Sequence, residues 1–502
     1  MQLLLLLSVS IIATCGLVYE LAAGTLASYL LGDSVTQFST IIGAYLFCMG
    51  IGSYLSRFIK QNLLDVFIQT EILVGIVGGT SSALLFILFP HIDSFRIVLY
   101  LIVSCTGILV GLEIPLLMNI LKKQIEFQNL ISRVFSYDYA GALLASIIFP
   151  LVMVPYLGLV RTSFFFGCMN VSVALVLCYV VRNELRFVRS LALQSIIVFL
   201  FLFMGILYSD SITNLAETDA LGENIIYSVS SPYQRIILTR SNKAFKLYLN
   251  GNLQFNTNDE YRYHESLVHP LMCLYPSNPK HVLVLGGGDG LAAREILKYP
   301  SVKDITLVDL DYYMTNLFST NPLLAKLNKK SLQSNHVKIV NDDAFVWLRS
   351  HIGKYDIIIV DFPDPSNYSV GKLYTDMFYR TMKKVTHDST IVVVQSTSPL
   401  VAPKSFWCVN ATLQSAGFNT KPYHTFIPSF GEWGYILASP SAIPDLFHSE
   451  RLPDSLLYFT PTIFQQMLSF APDMKTNTVN INKLNNQILV QYFEQEWSEY
   501  LH

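Results

Sequence analysis

The stretch VLVLGGGDGLAAREIL, residues 282–297, begins with apolar β-formers, passes through a glycine-rich turn and continues with a helical pattern. This order is typical of the first strand, loop and helix of a nucleotide-binding α/β sheet. Asp289 lies inside the turn. Anionic phosphates bind best where such a turn offers only backbone N–H groups, so a carboxylate at this place predicts a different kind of ligand.

The residues around this stretch alternate between strand-like and helix-like patterns. The apolar runs HVLVLG, DITLVDL, VKIVND, YDIIIVD and STIVVVQ are separated by helical segments between residues 281 and 395. Such alternation predicts a doubly wound, Rossmann-type α/β domain with a parallel sheet. Residues 424–439 predict late antiparallel strands. Residues 224–255 predict a small antiparallel β subdomain, which a helix over 259–274 follows.

Chemically capable residues follow the predicted strands. Ligands of a parallel sheet bind at the carboxyl ends of its strands, which meet at one edge. A glycine loop follows the first strand, an acid ends the second, and acids follow the third and fourth. These residues are Gly286, Gly288, Asp289, Asp309, Asp343, Ala344, Asp361 and Asp364. Because an acid about twenty residues after the loop typically binds ribose hydroxyls, the four strand ends predict a nucleoside site.

The glycine loop also indicates which nucleoside. It reads G-G-G-D-G instead of G-x-G-x-x-G, which disfavours a dinucleotide. Sheets of the S-adenosylmethionine-methyltransferase type bind a nucleoside without a pyrophosphate. The carboxylate of that donor's amino-acid end would be repelled by Asp289. A decarboxylated nucleoside sulfonium has an amine tail and no acid, so the loop predicts a cationic ligand of this kind.

The N-terminal part of the chain is far more apolar than the rest. Of the 502 residues, 52% are hydrophobic and 14% are charged, and long uncharged stretches are confined to residues 1–208. About 20 apolar residues span a bilayer. The first stretch lacks the basic start of a signal peptide and is too long to be one. Seven stretches predict a bundle of about seven transmembrane helices in the lipid bilayer: 3–30, 38–56, 67–90, 97–120, 138–160, 163–181 and 190–208.

The apolar stretches contain a weak internal repeat. GLVYELAAG (16–24) is echoed by GILVGLEIPLL (107–117), and IGAYLFCMGIGSYL (42–55) is echoed by YDYAGALLASIIFP (137–150). The pattern is three helices, three helices and a seventh. Repeated three-helix units of this kind predict the inverted topology found in many transporters.

Three acidic residues lie within or at the edge of the apolar stretches: Glu20, Glu113 and Asp138. An ionisable group is costly inside a bilayer, so its presence predicts a functional site. A polar contact between two helices is the alternative. Glu20 and Glu113 occupy matching places in the two repeats, which predicts a shared role in attracting a cation.

The sequence predicts four segments and a cell (inner) membrane location. The segments are a multi-pass transmembrane domain (1–208), a β-sheet subdomain (222–257), the α/β domain (258–445) and a C-terminal extension (446–502). Lys and Arg are concentrated in alternate loops. The positive-inside rule then places the N-terminus inside and, after seven spans, the α/β domain outside. A domain that uses a cytosolic metabolite should instead be cytoplasmic.

Charge and cysteine usage limit the partners. A net charge of −2 without a basic cluster argues against nucleic-acid binding. The seven cysteines show no metal-ligand spacing, and nothing in their pattern indicates disulfides. We also expect a homodimer or a higher homo-oligomer.

Over about residues 224–440 the chain resembles the polyamine aminopropyltransferase (spermidine synthase) family. The matching motifs are PYQRI, LNGNLQFNTNDEYRYHE, VLVLGGGDG, LVDLD, NDDAF, DIIIVDFPDP and IPSF. The apolar half resembles the membrane-bound, multi-pass bacterial branch of that family. The resemblance implies transfer of an aminopropyl group from decarboxylated S-adenosylmethionine to an amine, with putrescine the first candidate. The products would be spermidine and 5′-methylthioadenosine, and no metal or other cofactor is implied.

The resemblance also implies a role for each candidate residue. Asp361 would accept the proton of the attacking amine, and Asp364 would help to hold an ammonium group. Asp289 would bind the aminopropyl amine. The nucleoside would contact Asp309, Gln234, Asp343, Ala344 and the loop residues Gly286 and Gly288, and the amine channel would contain Tyr263 and His264. The alternatives are a helix cap for Asp309 and a helix-surface histidine for His264.

The sequence departs from the family pattern around the acceptor amine. Asn250 replaces the Asp of the usual LDG, SNYSVGKLY replaces Gly-Pro after DP, QSTSP offers no acid, and Phe430 stands where Tyr is common. The identity of the acceptor is therefore more open than the reaction. Two other functions stay open as well: a polyamine or nucleoside transporter with a sensing domain, and an S-adenosylmethionine-dependent methyltransferase.

Overall fold

The computed structural model describes residues 2–31, 34–92, 94–122, 126–241, 244–476 and 478–501. The chain forms two compact units, Met1–Pro232 and Tyr233–His502.

The first unit consists of long apolar helices. They are α1 (Gln2–Leu31), α2 (Ser34–Leu55), α3 (Leu63–Leu88), α4 (Phe95–Leu121), α5 (Phe127–Ile148), α6 (Val154–Val180) and α7 (Val188–Leu221), followed by strand β1 (Asn224–Ser230). The predicted end of the apolar part at residue 208 lies inside α7. This helix continues past residue 208 because the next glycine or proline along the chain is Gly222, which has the left-handed conformation of a helix C-terminus.

Six continuous helical stretches in the described residues are long and apolar enough to cross a membrane, whereas the sequence predicts seven. The difference lies at residues 138–160 and 163–181, which both fall within the stretch Gln128–Val180. The segment Phe149–Met153 is a π-helical turn that joins α5 to α6 directly. The helix departs from regular geometry at Gly158, which has φ +74°.

The helices pack in the pattern that a twofold repeat requires. α1 packs on α5 and α2 packs on α4, while α3 packs on α6. If each helix of the triplet α1–α3 is exchanged with its counterpart in α4–α6, the α1–α5 pair becomes the α4–α2 pair. The α3–α6 pair is unchanged. The approach of α2 to α4 is very close, because a Cβ added to Gly111 would lie 2.2 Å from the carbonyl oxygen of Met49. Small residues permit such contacts between apolar helices.

The second unit begins with an antiparallel sheet and then forms the predicted α/β domain. Strands β2 (Arg235–Ser241), β3 (Ala244–Leu249) and β4 (Asn252–Asn256) pair antiparallel. Helix α8 (Glu260–Leu274) follows. The large sheet contains β5 (His281–Gly286), β6 (Asp304–Asp309), β7 (Val337–Asn341), β8 (Tyr355–Asp361), β9 (Thr386–Gln395), β10 (Asn419–Ile427) and β11 (Gly431–Ser439).

The seven strands of this sheet have the order β10-β11-β9-β8-β5-β6-β7. β5 to β9 run parallel, and β11 and β10 are antiparallel additions at one edge. The chain order reverses between β5 and β8, since β6 and β7 lie on one side of β5 and β8 and β9 on the other. Ligands of open α/β sheets bind at the carboxyl ends of the strands beside such a reversal.

Helices cover the sheet, and the C-terminal residues complete the second unit. The helices are α9 (Leu291–Ile296), α10 (Tyr312–Thr320), α11 (Pro322–Leu327), α12 (Ala344–Ser350), α13 (Tyr368–Gly371), α14 (Asp376–Met382), α15 (Pro403–Ser415), α16 (Pro461–Met467) and α17 (Ile488–Leu501). α17 packs on α15. The Glu496 carboxylate of α17 accepts the backbone N–H groups of Lys404 and Ser405 at 2.7 and 3.0 Å, so it caps the start of α15.

Candidate active site

The glycine loop is pressed against the end of β8. Gly286, the last residue of β5, lies in register with Asp361, the last residue of β8. A Cβ at Gly286 would lie 2.2 Å from the carbonyl oxygen of Asp361, and Gly286 has φ +84°, so only glycine fits. The Gly287 N–H donates to the same oxygen at 3.1 Å. These contacts fix the backbone of Asp361 relative to the loop.

Asp309 connects the loop after β5 with the loop after β6. Its Oδ2 accepts the Gly288 N–H at 3.0 Å and its Oδ1 accepts the Asp311 N–H at 2.9 Å. Burial raises the pKa of Asp309 to about 6, although both N–H groups favour its ionised form. The cap of α10 is Asp311, which accepts the N–H of Tyr313 at 3.0 Å. Asp309 is therefore not the helix cap that the sequence left open.

Gln234 reaches the same edge of the sheet through Asp311. Its Nε2 donates to Asp311 Oδ2 at 2.9 Å. The sequence placed Gln234 near the nucleoside but gave no role to Asp311, which is 2% exposed. The structure brings Gln234 and Asp309 to one place because Asp311 contacts both of them.

Asp361 is held by a tyrosine of α8. The Tyr263 hydroxyl donates to Asp361 Oδ1 at 2.6 Å. Burial raises the pKa of Asp361 to about 6, and the negative charge of Asp289 adds to the increase, while His264 and the Tyr263 hydroxyl oppose it. A half-buried carboxylate with a pKa near 6 is ionised at neutral pH and can still take up a proton.

Asp364 lies just beyond the end of β8, beside Gln395. Gln395 Nε2 donates to the carbonyl oxygen of Phe362 at 2.7 Å and to Asp364 Oδ1 at 3.2 Å. It also contacts the hydroxyl of Tyr374 at 3.1 Å. Burial raises the pKa of Asp364 to about 7, although the Gln395 amide opposes this. Gln395 thus orients Asp364, the second of the two acids that follow β8. The sequence had shown only that the segment containing Gln395, QSTSP, offers no acid.

Asp289 and His264 form the third part of the site. Asp289 Oδ1 accepts the Leu291 N–H at 2.8 Å. Burial raises the pKa of Asp289, while the charge of His264 lowers it. His264 is 2% exposed, so it is not a helix-surface histidine. Burial lowers the pKa of His264, but Glu260, Asp289 and Asp361 outweigh this and leave it above its usual range.

Asp343 and Ala344 lie beyond the end of β7, the next strand along the sheet. Asp343 caps α12 by accepting the Phe345 N–H at 2.8 Å, and its Oδ2 pairs with Lys372 Nζ at 2.5 Å. Burial raises the pKa of Asp343, but Lys372 and the N–H group outweigh it and lower the pKa below its usual value. The Asp343 carboxylate is therefore engaged on both oxygens, and Ala344 is buried beside it.

A buried ionic network positions His264, and the sequence gave no sign of it. Glu260 Oε2 lies 2.8 Å from His264 Nδ1, and Arg294 donates to both oxygens of Glu260 at 2.8 and 2.9 Å. Arg294 Nε also donates to Glu295 at 2.9 Å. Burial opposes ionisation of Glu260, but His264 and Arg294 lower its pKa to about 2. The network thus locks α8, which supplies Tyr263 and His264, onto α9.

Aromatic side chains border Asp361 on the side of β11. The Tyr263 ring centre lies 5.6 Å from that of Tyr435 and 6.3 Å from that of Phe430. Phe430 in turn lies 5.1 Å from Trp433. Trp433 is 7% exposed, and its Nε1 has no hydrogen-bond partner within the described part of the chain. An apolar wall with one unused N–H donor therefore stands where the sequence departs from the family pattern.

The chain is similar over its whole length to known bacterial enzymes. Residues 260–448 match the family described as Spermine/spermidine synthase domain. The chain is 50% identical to a polyamine aminopropyltransferase of Leptospira interrogans over 501 residues, which cover 100% of both chains. It is also 50% identical to polyamine aminopropyltransferase 2 of Ralstonia nicotianae over 505 residues, which cover 98% of each.

Solved structures resemble about half of the chain. A crystal structure of spermidine synthase from Thermotoga maritima is 26% identical, with a TM-score of 0.45, and the match covers 49% of this chain and 84% of that one. A spermidine synthase crystallised with the transition-state analogue AdoDATO is also 26% identical, with a TM-score of 0.46, and the match covers 49% and 85%.

We predict that Glu260→Gln destabilises the second unit strongly. The substitution leaves Arg294 as a buried charge with a weaker partner, and breaking a buried ion pair costs about 3–5 kcal/mol. The four tryptophans all lie at or after residue 347, so tryptophan fluorescence during urea denaturation reports on the second unit. Glu450→Gln is the matched control, since Glu450 pairs with His448 at 2.8 Å and its side chain is 68% exposed. We expect that control to leave the free energy of unfolding nearly unchanged, because ion pairs on the surface contribute little. Equal effects of the two substitutions would contradict a stabilising role for the buried network.

Proposed function

The chain belongs to the polyamine aminopropyltransferase family, and we propose that it transfers the aminopropyl group of decarboxylated S-adenosylmethionine to putrescine. The products would be spermidine and 5′-methylthioadenosine. One observation supports this proposal above others: Asp289, Asp361 and Asp364 lie at the carboxyl ends of β5 and β8, where the sheet order reverses. The negative charge of these three acids exceeds the positive charge of His264 beside them, so the site suits a donor and an acceptor that both carry amines.

In this proposal the donor nucleoside lies along the ends of β5, β6 and β7. The ribose hydroxyls donate hydrogen bonds to the Asp309 carboxylate, on the lone pairs that the N–H groups of Gly288 and Asp311 do not use. Gln234, Asp343 and Ala344 contact the nucleoside. The Asp343 carboxylate must then bind both Lys372 and the nucleobase of the donor. The backbone at Gly286 and Gly288 lets the ligand approach closely, because neither residue has a side chain.

Asp289 gives the donor its selectivity. Its second carboxylate oxygen is available to the ammonium of the aminopropyl tail, whereas the carboxylate of S-adenosylmethionine would be repelled there. A methyltransferase would use the carboxylated donor. Comparing the two donors therefore separates the proposal from the methyltransferase alternative.

The transfer needs one proton acceptor. The amine of putrescine is protonated at neutral pH, so it must lose a proton to Asp361 before its lone pair can attack. The lone pair forms a C–N bond to the methylene carbon, and the C–S bond breaks with its electrons moving to sulfur. The sulfonium becomes a neutral thioether, which is why no metal is needed in this proposal. Tyr263 fixes the carboxylate of Asp361 in one orientation, and alignment of the amine supplies much of the rate.

The acceptor lies between Asp364 and the aromatic wall. Asp364, oriented by Gln395, binds an ammonium group of the diamine. Phe430 and Trp433 pack on its aliphatic chain, and the Trp433 N–H is left for a polar group of the ligand. Putrescine is the first candidate because the family resemblance implies it, and because it offers one amine for attack and one for binding.

We further infer that the first unit anchors the chain in the cell membrane as a multi-pass bundle, with the second unit in the cytoplasm and the chain as a homodimer or higher oligomer. Six apolar helical stretches support the membrane location. From a cytoplasmic N-terminus, an even number of crossings returns the chain to the cytoplasm, where both substrates are made. Seven crossings follow if α5 and α6 cross separately at the kink.

The side of the membrane can be measured with a reporter fused after His502. We expect fluorescence from a reporter that folds only in the cytoplasm, and no activity from alkaline phosphatase, which folds only outside. The reverse result would contradict the cytoplasmic placement and favour seven crossings.

The transfer itself is tested with Asp361→Asn. Purified full-length protein with decarboxylated S-adenosylmethionine and putrescine should release 5′-methylthioadenosine. The asparagine keeps the shape of the residue but cannot accept the proton, so we expect kcat to fall by about 10²–10⁴-fold, with nucleoside binding retained. Liquid chromatography of the nucleoside product measures the rate.

Asp388→Asn is the matched control, because Asp388 is exposed on β9 and should leave the rate unchanged. Cadaverine and spermidine are tested as further acceptors. No product with any of the three amines would refute the proposed reaction. Retention of most activity by Asp361→Asn would refute only the assigned base.

The pH dependence follows from the raised pKa values of the two acids. Asp361 must be ionised to accept a proton, and Asp364 must be ionised to bind an ammonium group. With pKa values of about 6 and 7, kcat/KM should fall steeply as the pH drops from 8 to 5. Tyr263→Phe removes a hydrogen bond that stabilises ionised Asp361, which is worth about 1.5–3 kcal/mol, or roughly 1–2 pH units. The acidic limb should therefore move to higher pH.

Tyr435→Phe is the control for this shift. The Tyr435 hydroxyl donates to the backbone oxygen of Tyr263 at 3.2 Å and to no carboxylate in the described residues, so the midpoint of the acidic limb should stay in place. A limb that moves equally in both variants would show that Tyr263 does not set the pKa of Asp361.

A further inference from the structure

The first unit contains a cavity of about 170 Å³ between its apolar helices. A single water needs on the order of 10–15 Å³ of such space, so a short aliphatic molecule fits. Most of the wall is apolar and comes from α1, α2 and α4. Three acidic side chains also line it, namely Glu20, Glu113 and Asp138. No Lys, Arg or His is among its lining residues.

Glu113 lacks the partner that a structural carboxylate would have. It is 2% exposed, and its Oε1 accepts no hydrogen bond from the described residues. A buried acceptor without a donor is unfavourable, so a ligand that donates hydrogen bonds would stabilise it. Glu71, by comparison, is buried outside this cavity; its Oε1 is unpartnered among the described residues like that of Glu113, but its Oε2 accepts the Asn170 amide at 3.0 Å. A polar contact between helices therefore accounts for Glu71 better than for Glu113.

Glu20 faces the same cavity from the equivalent helix. The helix pairs that relate the triplet α1–α3 to α4–α6 make α1 equivalent to α4. Glu20 on α1 and Glu113 on α4 therefore occupy matching places, and both line the cavity. Glu20 is 7% exposed. Two buried acids on related helices can bind the two ends of a dication, or one of them can bind a monocation.

We propose that this cavity binds an aliphatic amine, with its ammonium groups on Glu20 and Glu113 and its carbon chain against the apolar wall. A primary ammonium supplies three N–H donors to the unpartnered carboxylate. The apolar lining, which includes Leu17, Val110 and Leu117, suits methylene groups. The site differs from the one at the ends of β5 and β8 and does not depend on the transfer reaction.

The test uses full-length protein in lipid nanodiscs and radiolabelled putrescine. Glu20→Gln combined with Glu113→Gln should remove one class of putrescine sites per chain, or weaken it by about tenfold or more. The matched control is Glu217→Gln, because Glu217 is also a buried glutamate of the first unit but does not line the cavity. We expect that control to bind as the parent does. Equal binding by the double variant and the control would overturn the proposal.

A second measurement needs no substitution in the cavity. A hydrophobic carbodiimide modifies buried carboxyl groups, and mass spectrometry of the peptide that contains Glu113 measures the rate of modification. Putrescine and 1-aminobutane should slow this rate several-fold, whereas butanol and potassium chloride should not. Equal protection by butanol would indicate a merely apolar site, protection by potassium a metal-ion site, and no protection an empty one. Each of these results would overturn the proposal.

The measurements are repeated with Asp361→Asn protein, in which formation of methylthioadenosine should be slowed by about 10²–10⁴-fold. Protection of Glu113 should survive there, because Asp361 belongs to the other unit. In the parent protein, protection of Glu113 without formation of methylthioadenosine would leave the cavity site standing and refute the reaction. Transfer without protection would do the reverse.

Discussion

The contact between Gly286 and the backbone of Asp361 is the constraint on which the site depends. It joins the two strands at which the sheet order reverses, and it leaves no room for a side chain between them. The loop that carries Asp289 and the strand that carries Asp361 are therefore held at one fixed separation. Asp309 extends this frame to β6 through Gly288. In the proposed reaction, one rigid edge of backbone would therefore position both the residues that bind the nucleoside and the residue that removes the proton.

Burial gives the acids at this edge their chemistry. In water all of them would be fully ionised at neutral pH and would make poor bases. Partial removal from water raises the pKa of Asp361 to about 6 and that of Asp364 to about 7. His264 limits the increase in the pKa of Asp361, and the ionic network through Glu260 and Arg294 keeps His264 in place. The reactivity of the site is thus a balance between burial and one buried cation, set by the packing of α8 on α9.

The sequence predicted what depends on local pattern and missed what depends on packing. Apolar runs ending in glycine or aspartate identified the strands of the large sheet and the acids at their ends. The partners of those acids could not be found in this way. Gln395 reaches Asp364 from another strand, and Arg294 reaches Glu260 from another helix. The span count is a related case, because the boundary predicted between residues 160 and 163 lies close to Gly158, whose backbone is not helical, although Gln128–Val180 counts as one helical stretch.

The hairpin of β10 and β11 differs from the rest of the site in how freely it can change. Phe430, in the turn of this hairpin, and Trp433, on β11, border the proposed acceptor site, yet the hairpin takes no part in the pairing of β5 with β8. Substitutions there alter the shape and polarity of the acceptor wall without moving Asp361 or the glycine loop. Selection for a longer or differently charged amine can therefore act on this hairpin alone. The fold separates a part that must be inherited unchanged from a part in which new specificities can evolve.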